Sequence, residues 1–425
     1  MNWLGVARDI NPIFDKATIK MAAGQGLFCT PNNKWPDDLR QKEKMVMILK
    51  NKKKSLFLLA GLVLMLVLVA CGDAADPEDN EAPPAQNGAA DDGAVVEPTD
   101  DEGEGLVGIS MPSLSLERWE RDGTQIEADL QALGFGTHLQ FAQDDVATQI
   151  SQIENMITQG VDILVIAPID GETLTAVLET AAAADIPVIA YDRLIMNSEH
   201  ISYYVTFDNF LVGQTQGYFI VEALGLNDYE GPFNIELFAG APDDNNARLF
   251  NEGAMSVLDP FIADGTLVVQ SGQTDFNQIA IPGWSTAEAT NRMDNLLSLN
   301  DNIDAVLSPN DSLALGIVAS FQNLGLEVPV VTGQDADLAN VLSILAGDQS
   351  MTVFKDTRIL AATAAEMVQT ILAGGTVNVN DTETYDNGVF VVPTYLVDVM
   401  TVTADNVREV LVDSGFYTAE ALGLE

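Results

Sequence analysis

The stretch "DILVIAP", residues 162–168, is a short apolar run that follows a helix-like segment at 145–159. A second helix-like segment at 171–184 leads to another apolar run, "IPVIAY", at 186–191. Strands that alternate with helices are typical of βαβ units, in which successive strands lie parallel in one sheet. This stretch therefore predicts the repeating unit of the fold.

The same alternation extends outward from this unit over the region that begins at residue 106. Further strand-like runs lie at 106–111, 137–142, 233–240, 266–272, 304–309, 328–334 and 351–354. Further helix-like segments lie at 117–133, 210–224, 285–299, 310–323 and 357–373. Nine or more units are many for a single sheet. The sequence therefore predicts an α/β fold with two doubly wound lobes and mostly parallel strands.

The formal net charge of -44 excludes some classes of function. Residues 106–425 hold 8 basic residues against 46 acidic ones, and so acidic a surface repels nucleic-acid phosphates. Cys29 and Cys71 both precede this region, so we expect neither a disulfide nor a cysteine zinc site within it. His138 and His200 lack metal-ligand spacing. We therefore expect no nucleic-acid partner, metal or cofactor.

An export signal is predicted at residues 45–70. The basic stretch "KNKKK", 50–54, precedes an apolar run of 16 residues at 55–70, which is shorter than the roughly 20 residues that a membrane span needs. The run ends in "LVAC", 68–71, which resembles a bacterial lipobox. That resemblance implies cleavage before Cys71 and attachment of a diacylglyceryl group to its thiol, which anchors a protein stably to a membrane.

Two further segments flank this signal. Residues 1–44 precede a normal signal-peptide start at Met45 or Met47, so we interpret them as an upstream extension that the mature protein lacks. Residues 72–105 contain 12 acidic and no basic residues, with many Ala, Pro and Gly. Such a composition cannot bury enough apolar surface to fold. We therefore predict a disordered acidic tether over 71–105.

Polar and aromatic residues follow the predicted strands, where open α/β sheets bind ligands. The candidate ligand-binding residues are Arg118, Trp119, Asp192, Arg193, Asn245, Asn246, Arg248, Trp284, Asn310, Asp335 and Lys355. Lys355 is the only lysine after Lys54, and the set contains both tryptophans of residues 106–425. Each residue alone has a simpler explanation, such as a helix cap, a core position or a surface salt bridge. Their convergence at strand ends favours a site.

These residue types suit a neutral, polyhydroxylated ring such as a sugar pyranose. Two indoles offer flat apolar faces, while Asp, Asn, Arg and Lys supply charge-assisted hydrogen bonds to hydroxyl groups. A glycosidase would need two carboxylates with one kept protonated. Asp192 and Asp335 could supply the pair, but each is predicted near a base that keeps it ionised. No P-loop, G-x-S-x-G or zinc motif is present, so we do not expect an enzyme.

Long motifs across 106–425 closely resemble the sugar-binding receptors of bacterial ABC importers, of the ChvE-like multiple-sugar and D-xylose-binding type. The motifs include "SLERW", "QISQIENMITQGVDILVIAPIDG", "VIAYDRLI", "YYVTFDN", "GPFNIELFAGAPDDNNA", "AMSVL", "SPND", "GQDAD" and "TVFKDTR". The resemblance implies a type I periplasmic-binding-protein fold with two Rossmann-like lobes and a three-segment hinge. It also implies that a monosaccharide is captured by hinge closure and delivered to a permease.

The resemblance also implies boundaries. The N-terminal lobe would comprise 106–209 and 356–387, and the C-terminal lobe 210–354 and 388–425. Among the candidates, Asn245 and Arg248 match the family's sugar contacts less closely than the others. Asn310 matches xylose receptors, whereas ChvE-like receptors have Tyr there, so xylose, galactose, glucose and arabinose all stay open as ligands.

Two other functional classes share this fold. Regulators of the lac repressor family carry a helix-turn-helix, which is replaced here by an export signal. A sugar-sensing receptor that docks a sensor kinase or chemoreceptor stays open as an alternative, and neighbouring genes would discriminate. We expect a monomer that is lipid-anchored at the outer face of the cytoplasmic membrane, or a periplasmic lipoprotein.

Overall fold

A computed structural model describes residues 104–228 and 231–424 of the chain. The predicted upstream extension, the signal segment, Cys71 and nearly all of the acidic tether lie outside the described residues. No helix among the described residues combines the length and apolar character that crossing a membrane requires.

The described residues form alternating strands and helices. The strands are β1 (Leu106–Met111), β2 (Gly136–Phe141), β3 (Ile163–Ile166), β4 (Val188–Tyr191), β5 (Tyr203–Phe207), β6 (Phe233–Leu237), β7 (Leu267–Val269), β8 (Ala305–Leu307), β9 (Val330–Val331), β10 (Thr352–Lys355), β11 (Thr394–Val397) and β12 (Val399–Val402). The helices are α1 (Glu117–Ala132), α2 (Val146–Thr158), α3 (Thr175–Ala183), α4 (Asn209–Ala223), α5 (Asn245–Asp264), α6 (Phe276–Ile279), α7 (Thr286–Leu299), α8 (Asp311–Leu324), α9 (Leu338–Ala346) and α10 (Thr357–Leu372).

The first lobe is built on a parallel sheet with the strand order β11-β5-β4-β3-β1-β2. Helices cover both faces of this sheet. Ile126 of α1 and Leu360 of α10 pack in one core, and Ile153 of α2 and Leu178 of α3 pack in another. Because both faces are covered, every residue of β3 is buried, which explains why "ILVI" is continuously apolar instead of alternating.

The second lobe contains a parallel sheet with the order β7-β6-β8-β9. β10 and β12 form an antiparallel pair beside it, and a parallel bridge between Gln334 and Val353 links this pair to the end of β9. The predicted alternation of strands and helices is thus confirmed in both lobes. The apolar-run pattern missed the additional elements β5, β11, β12, α5, α6 and α9.

The last lobe boundary differs from the expected one. β11 pairs in parallel with β5 of the first sheet, and Val397 lies in the first lobe's core. Residues 388–397 therefore belong with the first lobe, although the resemblance suggested the second. The chain crosses for the third time at Asp398, between β11 and β12. Residues 388–397 stay with the first lobe because β11 covers the open edge of β5 with backbone hydrogen bonds.

The two earlier crossings lie between β5 and α4 and between β10 and α10. After β5, the chain enters α4, which packs along α5 of the second lobe. After β10, it enters α10, which packs along α1 of the first lobe. Both crossings therefore lie directly beside strand ends, so that residues at those ends lie next to the hinge.

Two glycines allow α4 and α5 to pack closely. A Cβ atom on Gly213 would overlap the carbonyl oxygen of Phe250, and a Cβ atom on Gly253 would overlap that of Phe210. Backbone atoms cannot move aside as the end of a side chain can. The helix pair that receives the first crossing therefore depends on the absence of a side chain at both positions.

We expect Gly213→Ala to lower the free energy of unfolding by at least about 2 kcal/mol, because overpacking against backbone forces the helices apart. Urea unfolding followed by circular dichroism measures this. Gly123→Ala in α1 is the matched control, since the three atoms nearest to its Cβ would all be side-chain atoms, of Phe141, Leu139 and Met111, at 3.0, 3.1 and 3.2 Å. Equal losses in the two variants would contradict the backbone-overlap explanation.

Candidate functional site

The guanidinium group of Arg118 lies at the centre of the site. Arg118 is in the first turn of α1, and its Nη2 lies 2.6 Å from Asp122 Oδ2 and 2.8 Å from Asp192 Oδ1. Its Nη1 lies 3.5 Å from Asp335 Oδ1. Asp192 follows β4 of the first lobe, whereas Asp335 follows β9 of the second. This ion-pair cluster therefore joins the two lobes.

The opposite charges in this cluster stabilise each other's ionised forms. Burial opposes the charge on Arg118, but Asp122, Asp192 and Asp335 together raise its pKa well above its usual value. Burial likewise opposes ionisation of Asp335, but Lys355 and Arg118 outweigh it and lower the pKa of that carboxyl group. Asp335 is therefore ionised at neutral pH and unsuited to act as a general acid, as a glycosidase would require.

Lys355 is the last residue of β10 and is buried. Its Nζ lies 2.9 Å from Asp335 Oδ1, and it lies 5.5 and 5.6 Å from the ring centres of Phe207 and Phe250. Phe207 ends β5 at the first crossing, and Phe250 belongs to α5 of the second lobe. The single lysine of the folded region thus lies where two crossings converge, and aromatic faces as well as a carboxylate stabilise its charge.

Asp192 is held by donors from both lobes. Its backbone has φ 58°, a left-handed conformation that is unusual for a residue with a side chain. Its carbonyl oxygen accepts hydrogen bonds from Tyr204 Oη at 2.5 Å, Thr206 Oγ1 at 2.8 Å and Asn246 Nδ2 at 2.8 Å. Asn246 belongs to α5. Asn246 therefore fixes the backbone of Asp192 from the opposite lobe.

Arg193 connects the lobes at a second point. Its Nε lies 2.8 Å from Asp244 Oδ2, and its Nη1 donates to the carbonyl oxygens of Pro168 and Ile169 at 3.2 and 3.3 Å. Its Cζ lies 5.0 Å from the ring centre of Trp119. Asp244 follows β6 of the second lobe. Arg193 is thus fixed by backbone on one side and by the opposite lobe on the other.

Trp119 provides one aromatic wall and is 2% exposed. The Cζ atoms of Arg118 and Arg193 lie 4.4 and 5.0 Å from its ring centre. The indole Nε1 is buried and has no hydrogen-bond partner among the described residues. Buried N–H groups are normally satisfied, so an unsatisfied donor beside this cluster is unusual.

Trp284 provides the second aromatic wall. Its Nε1 donates to Asp244 Oδ2 at 3.2 Å, and its ring packs edge-on against Phe250 with centres 6.2 Å apart. A Cβ atom on Gly240 would overlap the indole, so the ring lies directly against the backbone there. Asp244 therefore positions both Trp284 and Arg193, and it also caps α5 by accepting from the N–H of Asn246 at 2.9 Å.

The structure does not bring every candidate into this cluster. Arg248 is exposed; its Cζ lies 4.6 Å from the ring centre of Phe276, and its Nη2 lies 3.5 Å from the carbonyl oxygen of Pro242. Asn245 is half-buried at the start of α5. Asn310 is buried and caps α8, with its Oδ1 accepting from the N–H of Leu313 at 3.1 Å. A helix cap was the simpler explanation considered for Asn310.

Sequence reasoning missed two carboxylates of the site. Asp122 is fully buried four residues after Arg118, a spacing that places two side chains on one helix face. Asp244 lies next to the candidate pair Asn245 and Asn246, and its role as a cap was considered without its ion pair. Burial raises the pKa of each carboxyl group, and the attraction of Arg118 or Arg193 opposes that effect.

A third carboxyl group flanks Asp335 in the second lobe. Burial and the neighbouring Asp335 raise the pKa of Asp337 to about 7. The N–H of Asp337 donates to Asp311 Oδ2 at 3.0 Å, and its Oδ1 lies 3.7 Å from Nη2 of Arg121 in the first lobe. Burial, and after it the proximity of Asp337, raises the pKa of Asp311 well above its usual value.

The raised pKa of Asp337 has a predictable effect on stability. Between the unfolded value of about 4 and the folded value of about 7, the folded state binds the proton more tightly, so stability falls as pH rises through this range. Between pH 5 and pH 8, we expect the free energy of unfolding to fall less in Asp337→Asn than in the parent protein. Urea unfolding at both pH values measures this. The exposed Asp301→Asn should keep the parent profile, and an unchanged profile in Asp337→Asn would contradict the assignment.

Comparison with known proteins places the chain in a family. Residues 107–376 match the periplasmic binding protein domain. The chain is 52% identical over 326 residues to the multiple sugar-binding periplasmic receptor ChvE of Rhizobium radiobacter, which covers 75% of the chain and 92% of the receptor. It is 38% identical over 318 residues to the D-xylose-binding periplasmic protein of Escherichia coli K12, which covers 74% of the chain and 92% of that protein.

Solved structures agree with this placement. The chain superposes on an ABC transporter solute-binding protein from Clostridium phytofermentans, solved with bound β-D-glucose, with a TM-score of 0.73 and 50% identity. The match covers 75% of the chain and 99% of that structure. These relatives are binding proteins, not enzymes. The chain therefore belongs to the periplasmic binding protein family and has its type I fold.

Proposed function

We propose that this protein is the substrate-binding lipoprotein of a sugar ABC importer, and that it captures a monosaccharide between its two lobes. The observation that carries this proposal is the cluster of buried charged side chains beside two indoles, those of Trp119 and Trp284. The charged residues are Arg118, Asp192, Arg193, Asp335 and Lys355. The names of the relatives support a sugar ligand, since they describe multiple-sugar receptors, D-xylose-binding proteins and a structure that holds β-D-glucose.

The charge balance of the site supports a neutral ligand. Three cationic side chains, Arg118, Arg193 and Lys355, face four carboxylates, those of Asp122, Asp192, Asp244 and Asp335. A bound anion would add a further negative charge to a buried site in which carboxylates already outnumber cations, at a high desolvation cost. Hydroxyl groups can donate to the carboxylates and accept from the bases without changing this balance.

The proposed mechanism is hinge closure. Two ion pairs, Arg118 with Asp335 and Arg193 with Asp244, span the lobes, as does the hydrogen bond from Asn246 to Asp192. A ligand that contacts residues of both lobes binds the closed arrangement better than the open one, and it shifts the population by that difference in affinity. We further propose that the permease recognises this closed, loaded form.

The first test is a titration of the purified protein with D-glucose, D-xylose, D-galactose and L-arabinose. We expect saturable binding of at least one sugar by calorimetry, with a change in tryptophan fluorescence because both indoles line the site. If a folded protein bound none of these sugars, the proposed ligand class would be wrong.

Lys355→Ala tests the site itself. We expect this variant to bind its sugar about 1.5–3 kcal/mol more weakly, the range for hydrogen bonds to charged groups. Calorimetry measures the affinity, and circular dichroism checks that the variant is folded. Arg248→Ala is the control, because Arg248 is exposed and lies outside the cluster, and its affinity should be unchanged. An unchanged affinity in folded Lys355→Ala would refute a role for Lys355 in the ligand site.

The proposed anchor is tested separately. We expect the mature protein, expressed in a bacterial host, to begin at Cys71 and to carry the mass of a diacylglyceryl group, as measured by mass spectrometry of the N-terminal peptide. Cys71→Ser should lose the lipid and its diacylglyceryl-dependent membrane anchoring. Cys29→Ser is the control and should still be lipidated. A mature N-terminus at any other residue would contradict the lipobox interpretation.

A further inference from the structure

The segment after β12 belongs to the second lobe. The ring of Phe416 packs edge-on against Phe354 of β10, with centres 4.7 Å apart. The hydroxyl of Tyr417 donates to the carbonyl oxygen of Ala336 at 3.0 Å. Both rings pack against the buried cluster that includes Leu411. These contacts fix the two aromatic rings beside the loop that carries Asp335 and Asp337.

Arg121 reaches these two rings from the first lobe. It lies in α1, which packs against α10, and its Nη1 lies 3.1 Å from Oε1 of Glu117 in the preceding turn. The same Nη1 donates to Tyr417 Oη at 3.2 Å, and Cζ lies 4.8 Å from the ring centre of Phe416. Its Nη2 faces Asp337 Oδ1 at 3.7 Å. One guanidinium group thus contacts three side chains of the opposite lobe.

A second arginine of the first lobe approaches the same ring. The Cζ of Arg358 lies 5.2 Å from the ring centre of Phe416, and its Nη1 donates to the carbonyl oxygen of Ser414 at 3.1 Å. Asp356 fixes Arg358 through Nε at 2.8 Å and Nη2 at 2.7 Å. Because Arg358 directly follows the second crossing, this contact lies at the hinge. The contact of Arg121 lies one helical turn from the ligand-site residue Arg118.

We propose that Arg121, Asp337, Phe416 and Tyr417 form a C-terminal clasp that stabilises the closed arrangement from outside the ligand site and thereby sets sugar affinity. This inference rests on the proposed function and adds a means of regulating the same site. The clasp joins the lobes only when α1 lies against the C-terminal segment. An interaction that exists only in the closed state shifts the equilibrium between open and closed states toward the closed one by its full free energy.

The contacts of the clasp explain how Arg121 can stabilise the closed arrangement and still allow it to open. Cation–π and hydrogen-bond contacts at a half-exposed position are weak individually, so the lobes can still separate. Arg121 and Arg358 together account for two of the eight basic residues in 106–425. The clasp and the ligand site occupy successive turns of α1, which packs on α10 and on the first lobe's sheet. Movement of the first lobe as a unit would therefore make or break both sets of contacts.

Arg121→Gln tests the clasp, because it removes the guanidinium group and keeps a polar side chain. With D-glucose as the probe, we expect the dissociation constant to rise about fivefold or more and the dissociation rate to rise with it, as measured by calorimetry and stopped-flow fluorescence. Tyr417→Phe keeps the ring, removes the hydroxyl and should give a smaller change in the same direction. Arg408→Gln, an exposed position on the same segment with the same change in charge, should leave both values unchanged.

A measurement without sugar keeps the clasp separate from the proposed function. Spin labels at Glu179→Cys in the first lobe and Asp301→Cys in the second, in a background where Cys29 and Cys71 are serine, report the distance between the lobes. We expect Arg121→Gln to shift this distance distribution from that of the parent protein, and Arg408→Gln to leave it unchanged. An unshifted distribution together with unchanged glucose affinity would overturn the clasp. A shifted distribution in a protein that binds no sugar would support the clasp and refute the ligand class.

Discussion

The buried positive charge of Arg118 is the constraint on which the rest of the structure depends. A guanidinium ion removed from water costs several kcal/mol unless it is paired, and its partners here come from three places along the chain. Asp122 and Asp192 belong to the first lobe, whereas Asp335 belongs to the second. Those two carboxylates already balance the charge within the first lobe, and closure of the cleft adds Asp335 as a third partner.

The same logic explains the construction of the site around Arg118. Each aromatic wall is fixed by an ion or by backbone: Trp119 lies near two guanidinium groups, and Trp284 lies between Gly240 and Asp244. Lys355 is anchored by Asp335 at the hinge. A site of fixed, paired charges with two flat faces favours a neutral ring with many hydroxyl groups. The C-terminal clasp adds stabilisation of the closed form that no ligand contact provides.

Particular elements show where sequence reasoning succeeded and failed. β3 and β4 were predicted because they are continuous apolar runs, a consequence of burial on both sheet faces. β5 contains the buried Thr206, and α5 begins within the polar stretch "DDNN", so local polarity concealed both. Residues 388–397 were assigned to the second lobe because the pairing of β11 with β5 joins residues nearly 200 positions apart. Asp244 was missed because its ion-pair partner, Arg193, lies far along the chain, whereas Asp122 was missed although its partner, Arg118, lies only four residues away.

The sequence alone determined the alternation of strands and helices, the existence of two lobes and the position of most site residues at strand ends, because these features follow from local periodicity and from the edge at which parallel strands terminate. Only the tertiary structure decided which carboxylate pairs with which base, that Arg248 lies outside the cluster, and that Arg121 reaches the C-terminal segment. Ion pairs and ring contacts depend on separations of a few ångströms, and the three crossings that set those separations bring together residues far apart in the chain.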